Sequence, residues 1–428
     1  MADQRRLLEV YGHHLVHDVM GWWLAHGPDD EYGGVLTCWS NDGTELRSHD
    51  KYTWSQGRWA WVMSRTADAA ARGLVDLDAQ ECLERARTTA VFVRDHAVLP
   101  DGTTAYVTDR EGRAYEPVPG QGLHVSVFTD LFAALGFAEL ARVGGDAEWA
   151  ERAERLLTGA ADRIRSGLVR TEPYPVPSGF GSFGLPMMLV GVGEQVHRAT
   201  GSDSSAHIVR SAAAEMFERF RSGDDLAEMP TDDPAATDTL LARHRTPGHV
   251  LEALWFLTHA GDLLPAGSAA TSRDLLADLA VHACGLGWDD EHGGLLRYAD
   301  LLGGPPTGRR LHDRYEELVV DTWDTKLWWP HAEALYTTLL LSRQTGRADL
   351  ADWHTRLHDY TFATFPDGPG REWTQIRARD GRPLERTVAL PVKDPFHVAR
   401  ALLMLVELLA GPGTETGRDD LASMGRKR

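Results

Sequence analysis

Two histidines sit in matching settings far apart in this chain. His249 lies in Arg245-Thr246-Pro247-Gly248-His249-Val250-Leu251-Glu252, and His397 in Lys393-Asp394-Pro395-Phe396-His397-Val398-Ala399-Arg400. Each follows a proline by two residues and opens a long apolar helical run, Val250 to Leu263 and Val398 to Leu409. Proline is tolerated in the first helical turn and little beyond it, so both imidazoles are expected at helix N-termini. An imidazole is available in both protonation states near neutral pH, so a pair held this way suits two-base proton transfer. Either histidine alone reads better as a helix-start residue bonded to nearby backbone. Glu252 lies three residues after His249, on the same helix face, where it can orient the imidazole or bind a hydroxyl.

Twelve helical stretches position these groups, by 3.6-residue periodicity and stop signals. They run over 3–26, 55–72, 77–97, 124–143, 146–165, 186–200, 204–221, 248–263, 269–284, 323–344, 347–361 and 397–410. No regular strand–helix alternation appears, which disfavours Rossmann and TIM arrangements. Asp29-Asp30-Glu31-Tyr32-Gly33-Gly34-Val35-Leu36 is echoed by Asp289-Asp290-Glu291-His292-Gly293-Gly294-Leu295-Leu296, each after an odd-numbered helix and each leading into a β-prone piece. Six helix–loop–helix units close into an all-α (α/α)6 barrel with short β-hairpins in its loops. The expected domain is a single barrel over 1–410, followed by a polar, disordered tail over 411–428. The even-numbered helices start with unusual residues: Trp54 and Arg58, Met188, His249 with Glu252, Trp328 and Trp329 with Glu333 further along, and His397. Alternate helices of such a barrel run parallel in the inner ring, so these residues converge on one mouth. Free N–H groups there suit an anionic intermediate, and tryptophan faces suit sugar C–H surfaces.

Composition narrows the partners. The 428 residues are 43% hydrophobic and 25% charged, with a net charge of -19, which argues against nucleic acid and for a neutral or weakly charged small molecule. The start lacks an apolar leader and no 18-residue apolar run follows, so neither secretion nor membrane spanning is expected. Cys38, Cys82 and Cys284 are isolated, which points to a reducing cytoplasm without structural zinc. No Walker loop occurs, and Gly179-Phe180-Gly181-Ser182-Phe183-Gly184 reads as a loop rather than a dinucleotide site.

Six ordered blocks resemble the N-acylglucosamine 2-epimerase family, which includes cellobiose 2-epimerases and aldose–ketose isomerases. They are Trp22-Trp23-Leu24 with Asp30-Glu31-Tyr32-Gly33-Gly34; Lys51-Tyr52-Thr53-Trp54-Ser55-Gln56-Gly57-Arg58; Pro186-Met187-Met188-Leu189; Pro247 to Trp255; Lys326 to Ala334; and Phe396 to Leu402. The resemblance implies an (α/α)6 barrel with His249 and His397 as the acid/base pair. It implies that Arg58 contacts the sugar near O1 and O2, and that Glu252 and Glu333 sit in the site. Trp54, Trp255, Trp329, Trp373, Lys51 and Met188 are the further candidates for binding substrate. The Trp-x-Gln-Gly-Arg and Pro-Met-Met-Leu blocks look more like the N-acylhexosamine branch than the mannose isomerase branch. No cofactor or metal is expected. Some family members are nucleotide-stimulated and often dimeric, though nothing here identifies a nucleotide site. Two departures bear on substrate choice: His331 stands where the family often has Gln, adding a third imidazole near the mouth, and Thr374-Gln375 follows Glu372-Trp373.

The expected reaction is epimerisation at C2 of an open-chain aldose, most simply interconverting N-acylglucosamine and N-acylmannosamine. One histidine removes the C2 proton, the other returns one from the opposite face, and Arg58 stabilises the enediolate. Returning the proton to C1 instead gives a ketose, so an isomerase is the runner-up. Other classes are an inverting glycosidase on Glu252 and Glu333, a Schiff-base enzyme on Lys51, Lys326 or Lys393, and a non-catalytic binding module. Metal ligation by His249-x-x-Glu252, or by His13, His14 and His17, ranks lower.

Overall fold

The computed structural model describes residues 2–411, so all but the first position of the predicted tail lies outside the described residues. Twelve long helices form the framework. The odd ones are α1 (2–26), α3 (79–97), α5 (Ala147–Arg165), α7 (203–220), α9 (Arg273–Gly287) and α11 (Ala348–Thr364). The even ones are α2 (Thr53–Ala71), α4 (Val127–Gly144), α6 (Gly184–Thr200), α8 (Pro247–His259), α10 (Trp328–Thr345) and α12 (His397–Ala410). Each even helix packs on the next, and α12 returns to α2, closing an inner ring that the odd helices surround. This is the (α/α)6 barrel expected from the sequence.

Inner and outer helices begin differently. Asp78, Asp146, Ser202 and Ser272 cap α3, α5, α7 and α9 through their side chains. None of the six inner helices is capped by its N-cap side chain. Their first N–H groups bond other acceptors, Thr53, Val127 and Trp328 donating to the Tyr106, Arg170 and Gln375 carbonyls, and the positive dipole ends face the mouth. Helices α2 and α4 approach closely at two glycines: a Cβ on Gly57 would lie 2.1 Å from the Phe132 carbonyl oxygen, and one on Gly136 would lie 2.5 Å from that of Gly57.

The internal echo is a built motif. Gly33 and Gly34 adopt φ of +79° and +77°, Gly293 and Gly294 +73° and +75°, conformations that favour glycine. In the first copy the Lys51 ammonium donates to the Gly33 carbonyl and pairs with Asp29 at 3.0 Å, while Arg110 clamps the same carboxylate. In the second, Lys326 donates to Gly293 and pairs with Asp289 at 3.0 Å, with Arg379 as the clamp. The Gln56 Oε1 accepts the Val35 N–H in one copy, and the His331 Nε2 accepts the Leu295 N–H in the other.

The strands differ from expectation. Gly33–Thr37 and Gly293–Tyr298 form no regular strand, making only the single bridges Pro28 to Val35 and Trp288 to Leu295. Among the described residues one true hairpin occurs, Arg221–Ser222 against Asp225–Leu226. The other pairs tie distant loops: 51–52 to 107–108, 244–245 to 299–300, and 326–327 to 376–377. The last pair explains why α10 starts at Trp328 rather than 323, since Lys326 and Leu327 are drawn into the strand. Helix α9 begins four residues later than expected, and the short helices Leu240–Arg243 and Arg314–Thr322 had no clear sequence signal. No described helix is long and apolar enough to cross a membrane.

Candidate active site

A cavity of about 190 Å³ opens where the inner helices begin. Its walls include Trp54 and Arg58 of α2, Met188 of α6, His249 and Glu252 of α8, Trp329 of α10 and His397 of α12. The two predicted histidines therefore share one cavity. The indole of Trp329 packs against both, with centroids 5.2 Å from His249 and 5.9 Å from His397.

Each imidazole is backed by a carboxylate. The Nδ1 of His397 lies 2.7 Å from Glu333, and that of His249 lies 3.0 Å from Glu228. A carboxylate accepts, so both rings carry their proton on Nδ1 and aim Nε2 away from it. For His397, Nε2 accepts from Arg58 at 3.1 Å; guanidinium only donates, so that nitrogen presents a lone pair. Burial disfavours a charged His249, but the Glu228 charge and hydrogen bond outweigh it and hold its pKa above the ordinary imidazole value. Burial likewise opposes ionising Glu228 and Glu333; His249 draws the first below its usual range, and Arg400 with His397 holds the second at about 2.

Arg58 lies among the rings of Phe132, Trp54 and Phe396, and donates to Asp394 at 3.0 Å. Burial pulls its pKa down to about 10, which leaves it charged at neutral pH. Asp394 also accepts the His397 backbone N–H and the Trp328 indole N–H, fixing the start of α12. Arg400, one turn into α12, donates to Glu252 and Glu333 at 2.6 Å each. Its guanidinium thus occupies the space among Glu252, Glu333 and His397, whose ligand atoms lie within 4.8 Å of one another and are the one potential metal cluster among the described residues. That spacing is shorter than the ~6.5–9.5 Å an inverting glycosidase needs between its carboxylates.

Several candidates fall elsewhere. Lys51 is fully buried in the Asp29 motif and does not line the cavity; Lys326 and Lys393 are likewise consumed, by Asp289 and Glu372, which removes the Schiff-base reading. Trp373 is buried against Phe365. Trp255 and Glu333 sit beneath the cavity, the indole N–H donating to the Glu333 carboxylate at 2.7 Å. His331 is no third imidazole at the mouth: both its nitrogens bond backbone, and burial lowers its pKa to about 3. Gln375 bonds the Asp394 main chain from both ends of its amide rather than facing the cavity. His13, His14 and His17 lie on the outer helix α1, with His14 paired to Asp18.

Sequence reasoning missed Glu228, Asp394 and Arg400. Asp394 and Arg400 had signals, an acid three residues before a helix-start histidine and a cation in the first turn of an apolar run. Glu228 sits in the loop before Met229-Pro230 and had none.

Comparison with known proteins fits this geometry. Residues 204–401 match the family model for N-acylglucosamine 2-epimerase. The Bos taurus N-acylglucosamine 2-epimerase is 31% identical over 399 residues, covering 91% of this chain and 88% of that one. The chain belongs to the N-acylglucosamine 2-epimerase family. The same fold occurs in a sugar epimerase from a ruminal bacterium, with a TM-score of 0.73 at 17% identity, covering 93% of this chain and 98% of that one. It occurs also in the cellobiose 2-epimerase of Spirochaeta thermophila, with a TM-score of 0.73 at 16% identity over 96% and 98% of the two chains.

Proposed function

We propose that this member of the N-acylglucosamine 2-epimerase family is a carbohydrate epimerase that inverts C2 of an open-chain aldose through His249 and His397. The observation that carries the reading is the paired arrangement: two carboxylate-backed imidazoles around one indole, with Arg58 at the Nε2 of one of them. The cavity is smaller than the ~300–1,000 Å³ of a typical drug-sized site, which suits one monosaccharide.

Ring opening frees the aldehyde and acidifies the C2–H bond. His397, whose Nε2 lone pair is freed as Arg58 turns its N–H from that nitrogen to the sugar oxygen, removes that proton as Nε2 becomes N–H. Electrons from the broken C–H bond pass to O1, giving an enolate (an enediolate where C2 carries a hydroxyl) whose charge Arg58 and the positive ends of the inner helices stabilise. His249, favoured in its protonated form by Glu228, then delivers a proton to the other face of C2. The reverse direction exchanges the two roles. No redox or metal step enters, because base, acid and anion stabiliser are all side chains. For a sugar with a hydroxyl at C2, delivery to C1 instead would yield a ketose. The similarity to N-acylglucosamine 2-epimerase favours a 2-acylamino hexose.

The test is incubation with N-acetylglucosamine, N-acetylmannosamine, mannose, glucose and cellobiose in D2O, read by NMR. Deuterium at C2 with both epimers is expected, and His249→Ala or His397→Ala should lower turnover about 10²–10⁴-fold. Full turnover by both variants would sink the mechanism.

A further inference from the structure

The cavity contains a second arginine that the epimerisation does not use. Arg297 is 5% exposed and lines the same space as the histidines. Four arginines among the described residues are comparably buried, and two of the other three have carboxylate partners. Arg245 pairs with Asp225, Arg400 with Glu252 and Glu333, and Arg377 donates to the Phe365 and Gly381 carbonyls. Arg297 makes no ion pair among the described residues. Its side chain donates to the Tyr174 hydroxyl at 3.3 Å and lies 5.0 Å from the centre of the Tyr298 ring. Burial pushes the Tyr298 phenol up to about 12 and Tyr315 well above its ordinary value, so neither supplies a counter-charge at neutral pH, and the Glu228 carboxylate near both phenols is bonded to His249 rather than to Arg297.

A buried guanidinium without a counter-ion is costly unless the counter-ion arrives with the ligand. The surroundings indicate what that counter-ion is. The Tyr174 oxygen already accepts from Arg297 and from the Ala389 N–H at 2.7 Å, which leaves its own proton to be donated. Arg297 and Tyr174 therefore form a donor-only corner. Its positive charge is felt at His249, so it lies on that side of the cavity, while Arg58 serves the His397 side. Arg58 has its counter-ion in Asp394 and needs none from the substrate.

We propose that Arg297, with Tyr174, binds an anionic substituent, a carboxylate or phosphate ester, at the end of the sugar remote from C1 and C2. The substrate class is then an acidic aldose, and Arg297 is a specificity-determining residue. This rests on the epimerase reading.

The experiment measures kcat/KM for C2 deuterium exchange with glucose, glucuronate, glucose 6-phosphate, N-acetylglucosamine and N-acetylglucosamine 6-phosphate. Wild type is expected to favour at least one acidic sugar over its neutral parent by tenfold or more; preference for the uronate or for the phosphates identifies the anion. Arg297→Met should collapse that ratio at least tenfold, and Arg297→Lys should keep part of it. If Arg297→Met does not fold, Tyr174→Phe serves as the second variant and should lower the ratio several-fold. A wild-type preference for the neutral parents, or a ratio unmoved by these variants, overturns the proposal while leaving the epimerase standing. Exchange with none of the sugars overturns the epimerase reading and this one with it.

Discussion

Glu228 reaches His249 from a loop outside the barrel helices and holds its Nδ1 at 3.0 Å. The pair mirrors Glu333 with His397, whose carboxylate instead comes from inner helix α10. The two imidazoles differ in their second neighbours: His397 accepts from Arg58 at Nε2, at 3.1 Å, and has the Arg400 guanidinium beside the Glu333 carboxylate it donates to, whereas among the described residues His249 bonds only its carboxylate. Burial opposes charge on His249 and Glu228 outweighs it, so the folded pKa lies above the unfolded one. A raised folded pKa means the protonated pair stabilises the fold fully below about pH 6.5, a contribution lost as pH rises through the raised value.

Replacing Glu228 with Gln should therefore move the alkaline limb of kcat toward lower pH, since protonated His249 is the donor and loses its support. Losing a charge-assisted hydrogen bond of about 1.5–3 kcal/mol should also lower kcat by roughly 10- to 100-fold. A pH–rate profile of C2 exchange reads both effects. An unshifted alkaline limb would show that Glu228 does not set the charge of His249.

The framework was legible because periodicity, caps and prolines act locally: all twelve long helices lie within a few residues of their expected positions. The convergence of His249, His397, Arg58 and Trp329 was legible for the same reason, since parity alone decides which helices face inward. Lys51 shows where that reasoning stops. It stands beside Trp54 in sequence, but one strand position turns it into the Asp29 motif and away from the cavity. Glu228 and Arg297 act across loops whose paths depend on tertiary pairing, such as the 244–245 to 299–300 strands, and no local pattern encodes that.

Lys51→Met should behave as a stability variant. It leaves the Asp29 carboxylate buried with one fewer partner, and breaking such a pair costs about 3–5 kcal/mol. Arg110, still on Asp29, should place the loss at the lower end. Denaturant unfolding should show the deficit, while KM per folded molecule stays near wild type. A large KM increase without loss of stability would return Lys51 to the substrate.

His331→Gln should be well tolerated, because Gln56 does the equivalent task in the first copy of the motif. The shift in unfolding free energy should stay within about 1 kcal/mol, and the pH–rate profile should not move, since burial keeps His331 neutral down to about pH 3. His331→Ala leaves the Leu295 N–H and Leu327 carbonyl unpaired and should cost roughly 1–3 kcal/mol. A profile altered by His331→Gln would mean that this imidazole takes part in proton transfer after all.

Arg400 offers a test whose pH dependence reverses between wild type and variant. In the wild type, Arg400 and His397 overcome burial and hold Glu333 at about 2, below its unfolded value, so its stabilisation is present above about pH 4.5 and lost as pH falls toward 2. Arg400→Leu removes the cation shared by Glu252 and Glu333 and leaves two neighbouring carboxylates buried. Like charges in low dielectric oppose ionising both carboxylates, so the pair should take up its first proton above the ordinary carboxylate range. The sign then changes: the variant should be destabilised by about 3–5 kcal/mol at pH 8 and recover part of that as pH falls toward 5.5, where one carboxylate takes up a proton. Urea unfolding of both proteins at the two pH values reads the difference directly. An equal deficit at pH 8 and pH 5.5 would mean that Arg400 acts through packing on Trp255 and Phe396, over whose rings it lies at 4.9 and 4.3 Å, rather than through charge.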